Sequence, residues 1–415
     1  MKHPVLSRHL PAATMKLLCV LSVLLLASVA EPVSALPANR RYEAIFSFGD
    51  SFADTGNDNV VYVERSLFNP AAAPPYGMTF FGHPTGRNSN GRLIIDFIAE
   101  DLGLPFVPPF LSHNGSFRQG ANFAVAGAFA RNASFYSNIP IVGPFALNTS
   151  SSVQLQWFDS LKPSLCDPAK ECKGFFHKSL FFMGEYGVND YSFSVFGMNM
   201  SEVRLIVPDV INTISMAAET IIKQGAKTVV VPGIPPLGCS PTNLALLPSD
   251  DPNDYDARTG CLKKFNDLSV YHNSLLEDAV KNVQTKYPNV GVIYADFFTP
   301  VMDIIESPDK LVSCRVIYVE HLRILLTENE ITTFRVHQRY SEVLLRRRWE
   351  VQLQHERRLW HAGVDGVRNM SAGCGMPGST VCDEPSTYLY WDGHFTEAAY
   401  RHIANGWLNS IYNGN

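Results

Sequence analysis

Four short apolar runs, Ala44–Phe48, Ser179–Met183, 228–231 and 290–295, most constrain what this chain can fold into. Each has the length and the β-branched or aromatic content of a buried strand, and helical periodicity fills the stretches between them. Leu93, Ile94, Phe97, Ile98 and Leu102 hold one helical face, stopped by Gly103 and Pro105. Val210, Ile214, Ala217, Ala218 and Ile221 hold a second, ended by Gly225, and Phe265, Leu268, Tyr271, Leu275 and Ala279 hold a third. The last face, Tyr400, Ile403, Ala404, Trp407, Leu408 and Ile411, starts from Thr396 as its N-cap. Strands alternating with amphipathic helices predict an α/β fold, a mainly parallel sheet covered on both faces. No internal repeat is visible.

The N-terminus carries an address. Behind Lys16 the apolar stretch 17–30 is too short to span a bilayer as a helix, and small residues suited to cleavage follow it at Ala30 and Ala35. We read residues 1–35 as an N-terminal extension and signal peptide, with Met15 a candidate initiator, and residues 36–415 as a single domain, secreted and without integral membrane association. Five Asn-x-Ser/Thr sites, at Asn114, Asn132, Asn148, Asn199 and Asn369, agree with glycosylation on that route. Cys166/Cys172, Cys239/Cys261 and Cys374/Cys382 are plausible disulfides, with Cys314 left over. A net charge of −5 and a pI near 6.2 give no footprint for nucleic acid. A small-molecule substrate fits better, and no metal or cofactor is expected. The oligomeric state is not legible.

Directly after the first apolar run comes Gly-Asp-Ser-Phe-Ala-Asp-Thr-Gly-Asn at 49–57. A serine in a tight turn at the carboxyl end of a parallel strand stands where α/β sheets bind ligands. Nucleophilic ester chemistry needs that hydroxyl, a base to take its proton, and donors aimed at the oxyanion. The chain offers further blocks in order: Gly-Ala-Asn-Phe-Ala-Val-Ala-Gly-Ala at 120–128, Gly-Val-Asn-Asp at 187–190, and Trp-Asp-Gly-His-Phe-Thr-Glu-Ala-Ala at 391–399. Asp50 and Asp54 read as turn-forming groups, and His272 as an ordinary surface or packing residue.

Together with Gly-Ile-Pro-Pro-Leu-Gly-Cys at 233–239, these blocks make the chain resemble the plant-type GDSL esterase/lipases of the SGNH hydrolase superfamily. The resemblance implies a three-layer α/β/α sandwich with a flavodoxin-like sheet, and cleavage of carboxylic esters through an acyl-enzyme. It implies Ser51 as nucleophile, His394 as base and Asp392 as its orienting carboxylate. The oxyanion donors would be the N–H groups of Ser51 and Gly127 and the side-chain amide of Asn189; Asp50, Asn122 and Asp190 would support the site.

Two features depart from the family. Only Gly393 separates Asp392 from His394, where two residues are common, and in an extended chain we expect that spacing to point the pair to opposite sides unless the flexible Gly393 restores contact. Segment 315–368 holds 10 of the 21 arginines, no lysine and no proline, and replaces the family's Cys- and Gly-rich stretch. It reads as foreign to the functional fold, from an alternative or mis-spliced transcript, rather than as a surface helical insertion. His355 and His361 stand six apart, which does not match a zinc-protease helix. Two rival readings stay open: an acyltransferase using the same site, and a catalytically impaired isoform or non-catalytic secreted binding protein.

Overall fold

Along the first strand, alternation of side chains decides how the sheet is covered. In β1 (Ala44–Phe48), Ala44, Phe46 and Phe48 join one buried cluster while Ile45 joins another, as a two-residue period requires. The computed structural model describes residues 41–139, 142, 146–166, 169–307 and 388–413. All of these except Arg41 belong to one compact unit beginning at Tyr42. The expected signal stretch 17–30, segment 315–368 with His355 and His361, Cys314, the Cys374/Cys382 pair and the Asn369 site lie outside the described residues.

Four further strands follow: β2 (Gly120–Asn122), β3 (Ser179–Met183), β4 (Thr228–Pro232) and β5 (Gly291–Ala295). They form one sheet in the order β2-β1-β3-β4-β5 with every pairing parallel. That is the strand order of flavodoxin-like folds. Phe181, Val229 and Val292 continue the cluster of Phe46, whereas Leu180, Val230 and Ile293 continue that of Ile45.

The helices are α1 (Asp58–Glu64), α2 (Ile94–Asp101), α3 (Ser151–Leu165), α4 (Ala169–His177), α5 (Val188–Ser194), α6 (Met200–Gln224), α7 (Pro241–Leu246), α8 (Lys263–Lys286), α9 (Phe298–Glu306) and α10 (Glu397–Asn413). Phe158 of α3, Phe176 of α4, Val210 and Ile214 of α6 and Leu268 of α8 pack on the first face of the sheet. Ile94 and Ile98 of α2, Val301 of α9 and Ile403 and Trp407 of α10 pack on the second. The result is the expected three-layer sandwich. Burying a side chain of this size stabilises by about 1.5–3 kcal/mol. Among the described residues α6 alone is long and apolar enough to cross a bilayer. Its Val203, Val207 and Val210 are nonetheless fully buried in the first cluster, where a core helix belongs.

Disulfides join Cys166 to Cys172 and Cys239 to Cys261. Four of the Asn-x-Ser/Thr asparagines are described, Asn114, Asn132, Asn148 and Asn199, and all are exposed. Asn199 also caps α6, its side-chain Oδ1 accepting from Glu202 N–H while the Glu202 carboxylate accepts from Asn199 N–H.

Between α1 and α2 the chain runs through a long ordered loop. Its anchor is Arg87, whose Nε and Nη2 donate to the two oxygens of Asp96 on α2, both at 2.8 Å, with the Asp96 side chain fully buried. Arg87 also donates to Thr55 C=O at 3.2 Å, tying loop and helix to the Ser51 turn. A buried pair that loses one partner leaves an uncompensated charge. We expect Arg87→Ala to lower unfolding stability by about 3–5 kcal/mol in urea titration; a loss below about 1 kcal/mol would contradict this anchoring role.

Candidate active site

Ser51 stands in the turn that follows β1, beside the crevice where the sheet order reverses, because β2 and β3 lie on opposite sides of β1. The chain can turn there because Gly49 adopts φ 152° and passes Gly184 so closely that a Cβ would lie 2.5 Å from its carbonyl oxygen. Gln154 of α3 holds Gly49 from both sides, accepting from its N–H at 2.9 Å and donating to its C=O at 2.8 Å. Tyr186 donates to the same Gln154 oxygen.

The acidic and amide residues of the turn serve the backbone. Asp50 Oδ1 accepts from Phe52 N–H at 3.1 Å. Asp54 accepts from the N–H groups of Gly56, Asn57 and Asp58 and, across the site, from Ala126 N–H at 2.9 Å. That last bond fixes the residue ahead of Gly127. Asn122, at the end of β2, donates to Ala53 C=O at 2.6 Å and accepts from Ala124 N–H. Asn57 donates to the C=O groups of Asn122 and Ala124. The 120–128 block thus begins as a strand, which its small residues and its brevity concealed in the sequence.

Two of the three expected oxyanion donors are unengaged: among the described residues neither Ser51 N–H nor Gly127 N–H meets an acceptor. Gly127 has φ 80°, and a Cβ there would meet nothing nearer than the Tyr62 hydroxyl at 3.9 Å, so its face is open. The third is occupied. Asn189, in the first turn of α5 after β3, uses its Nδ2 to donate to Ala128 C=O at 2.9 Å and to Asp50 Oδ2 at 3.1 Å. Asp190 beside it accepts from Ala130 and Arg131 N–H and from the Tyr136 hydroxyl, holding the 128–131 loop to α5.

Asp392 and His394 arrive from far along the chain. Tyr390 pairs antiparallel with Phe395, and Trp391 N–H donates to His394 C=O at 3.0 Å, so residues 388–396 form a tight hairpin with Asp392 and Gly393 at its tip. Thr396 follows, its hydroxyl accepting from Ala399 N–H as a cap on α10. Asp392 Oδ1 receives both the main-chain N–H and the Nδ1–H of His394, each at 2.6 Å. His394 Nε2 accepts from the Ser51 hydroxyl at 2.7 Å.

The expectation that one intervening residue turns Asp392 and His394 apart is therefore overturned. Residues two apart in an extended chain share a face in any case. Here the chain is instead bent at a hairpin tip, where a single carboxylate oxygen bridges two donors of the residue two positions on. Gly393 does not contribute a left-handed conformation, since it is not among the glycines with positive φ. It contributes the absence of a side chain, because a Cβ would lie 2.7 Å from Thr242 Oγ1. His272 takes the packing alternative of its expected roles: it is fully buried, bonded through Nδ1 to the Tyr191 hydroxyl at 2.7 Å, and burial pushes its pKa down to about 3.

Sequence reasoning missed what holds the hairpin. The loop before α2 grips it: the Tyr76 hydroxyl donates to Asp392 Oδ2 at 2.6 Å, Thr79 Oγ1 donates to Glu397, Asn90 accepts from Glu397 N–H, and Arg92 pairs with Glu397 at 2.7 Å. A dense run of Pro, Gly, Asn and Ser at 69–91, too long for a simple connection, was the available signal.

The electrostatics follow from burial and these bonds. Burial drives the Asp392 pKa up, but the His394 charge, the bonds from the His394 ring and Tyr76, and the His394 N–H outweigh it, leaving the carboxyl below its ordinary value. Burial likewise pushes His394 down, whereas the Asp392 charge and hydrogen bond, with Asp50 behind them, carry it above 6.5. Asp50, desolvated, rises to about 7, and burial lifts neighbouring Glu185 well above the carboxylate range. The arrangement can deprotonate a hydroxyl and receive a negative oxygen. Among the described residues no cluster of three metal-ligating side chains occurs.

Comparison with known proteins shows the family. The family model for GDSL-like lipase/acylhydrolase matches residues 45–407. The chain is similar to a sinapine esterase of Brassica napus, 38% identical over 91% of this chain and 88% of the relative. Two Arabidopsis thaliana proteins named GDSL esterase/lipase are 38% and 40% identical, covering 90% and 95% of this chain and 91% and 87% of the relatives.

The charge balance at His394 yields a prediction. Its imidazole, followed by NMR, titrates above 6.5 in the intact protein, and Asp392→Ala brings it below 6.5 because burial then dominates. An intact protein titrating at or below 6.5 would contradict this balance.

Proposed function

Because this chain belongs to the GDSL-like lipase/acylhydrolase family and is a carboxylic ester hydrolase of the GDSL esterase/lipase type, we propose that Ser51 is its nucleophile, working through an acyl-enzyme with His394 as base and Asp392 as the carboxylate that orients it. The observation that carries this reading is the continuous contact chain from Asp392 through His394 to Ser51, at 2.6 and 2.7 Å.

In this mechanism Ser51 Oγ gives its proton to His394 Nε2 as its bond to the ester carbonyl carbon forms. The carbonyl π electrons move onto oxygen, which meets the unengaged N–H groups of Ser51 and Gly127. Asn189 joins them by giving up its longer bond, the one to Asp50. As the tetrahedral intermediate collapses, the carbon–alkoxy bond breaks and the leaving oxygen takes the proton from Nε2. Water then attacks the acyl carbon, losing a proton to His394, and the returning proton restores Ser51. Asp392 holds Nδ1–H throughout, so that Nε2 is the nitrogen that takes the proton and returns it.

The substrate class is a small-molecule carboxylic ester, consistent with a relative named for sinapine. The protein is secreted as one hydrolase domain, residues 36–415, after loss of residues 1–35. Exposure of Asn114, Asn132, Asn148 and Asn199 supports their glycosylation on that route.

Ser51→Ala should lower turnover of a short p-nitrophenyl ester by on the order of 10⁴-fold or more while leaving the circular dichroism spectrum unchanged. Turnover retained by the folded variant would end the assignment.

A further inference from the structure

Asp392 is a half-buried carboxylate that must stay ionised, and its two oxygens are treated differently. Oδ1 is saturated by His394, which supplies both its main-chain N–H and its ring Nδ1–H. This double use follows from the short spacing: with Gly393 alone between them, the backbone and the ring of His394 both face the same oxygen. Oδ2 is left for another donor, and among the described residues that donor is Tyr76.

We propose that Tyr76 is a positioning residue of the reaction, acting through Asp392: its hydroxyl locks the carboxylate plane so that Oδ1 stays aimed at His394 Nδ1. The proposal rests on the reading of Ser51, His394 and Asp392 given above.

The geometry around Tyr76 is that of a fixed arm. Its ring is buried and lies edge-on to Trp391, the residue before Asp392, with centroids 5.8 Å apart, and Ala71 completes this small cluster. The backbone on either side is pinned, since Tyr76 N–H donates to Ala73 C=O and Gly77 N–H donates to Ser89 C=O. Beyond it, Thr79, Asn90 and Arg92 fasten the same loop to Glu397 at the start of α10. One loop therefore holds the hairpin at both ends, by the carboxylate at its tip and by the helix that follows it. Without the phenol, only the two bonds from His394 would fix Asp392 about its Cβ–Cγ bond. A neutral donor on a charged acceptor is among the stronger hydrogen bonds in a folded protein, and 2.6 Å is the length such a bond takes between a hydroxyl and a carboxylate.

The test is a double-mutant cycle of Tyr76→Phe and Asp392→Ala, read by kcat and KM on a short p-nitrophenyl ester, with thermal melts of all four proteins. Phenylalanine keeps the ring contact with Trp391 and removes only the hydroxyl. In the presence of Asp392, Tyr76→Phe should lower kcat by about tenfold with KM changed less than about twofold. In the Asp392→Ala background the same substitution should change kcat by less than about twofold, because its effect passes through the missing carboxylate. Equal losses in both backgrounds would assign Tyr76 a general structural role and overturn the proposal. No loss in the Asp392-containing protein, with Asp392→Ala itself impaired, would overturn the proposal alone. Wild-type turnover by Asp392→Ala would overturn the reading of Asp392, and the proposal with it.

Discussion

A single carboxylate oxygen, Oδ1 of Asp392, accepting the ring and main-chain N–H groups of His394 at once, is the contact on which the rest of the site depends. It fixes the tautomer, because a proton held on Nδ1 leaves Nε2 free to accept from Ser51. It also fixes position, since the main-chain bond prevents the ring from moving independently of the hairpin. Hydrogen bonds to a charged group contribute about 1.5–3 kcal/mol each, so the pair can hold a tip that has no helix or sheet of its own beneath it. The aromatic packing of Phe52 against the imidazole, at 5.3 Å, closes the remaining side.

Around this contact the protein gathers acids whose charges it handles in different ways. Asp392 is held below the ordinary carboxylate range by donors, whereas the pKa of Glu185, with one carboxyl oxygen unpartnered, is pushed well up by burial. Asp50 stands between, raised to about 7. Its negative form favours the imidazolium that appears when Ser51 gives up its proton, and its second oxygen competes for the Asn189 amide that the developing oxyanion needs. One residue beside the nucleophile thus links the charge on the base to the readiness of the third donor.

Much of the fold was legible because burial writes itself as periodicity. Phe46 and Ile45 lie on opposite faces of a covered sheet, so the first strand reads as an unbroken apolar run, and Trp407 and Ile411 mark the last helix by their spacing. Strand β2 was not legible, since Gly-Ala-Asn carries no apolar signature and owes its strand geometry to pairing with β1. Ser51, His394 and Asp392 could be named from blocks, but their meeting could not, because it depends on a hairpin made by Trp391 and a grip supplied by Tyr76, 316 residues earlier. The reading of the Asp392–His394 spacing failed for a related reason. It misjudged the parity of an extended chain, in which residues two apart share a face, and left out the main-chain hydrogen bonding at the tip that decides where both side chains go.

One hydroxyl, one imidazole and two unengaged backbone N–H groups are placed to converge on a single reacting carbon. A crystal structure of the adduct formed with an alkyl fluorophosphonate tests it most directly. The expected adduct has phosphorus bonded to Ser51 Oγ and one phosphoryl oxygen within about 2.7–3.1 Å of both Ser51 N and Gly127 N, with His394 Nε2 facing the bonded Oγ. An adduct on another residue, or a phosphoryl oxygen pointing away from both N–H groups, would contradict it.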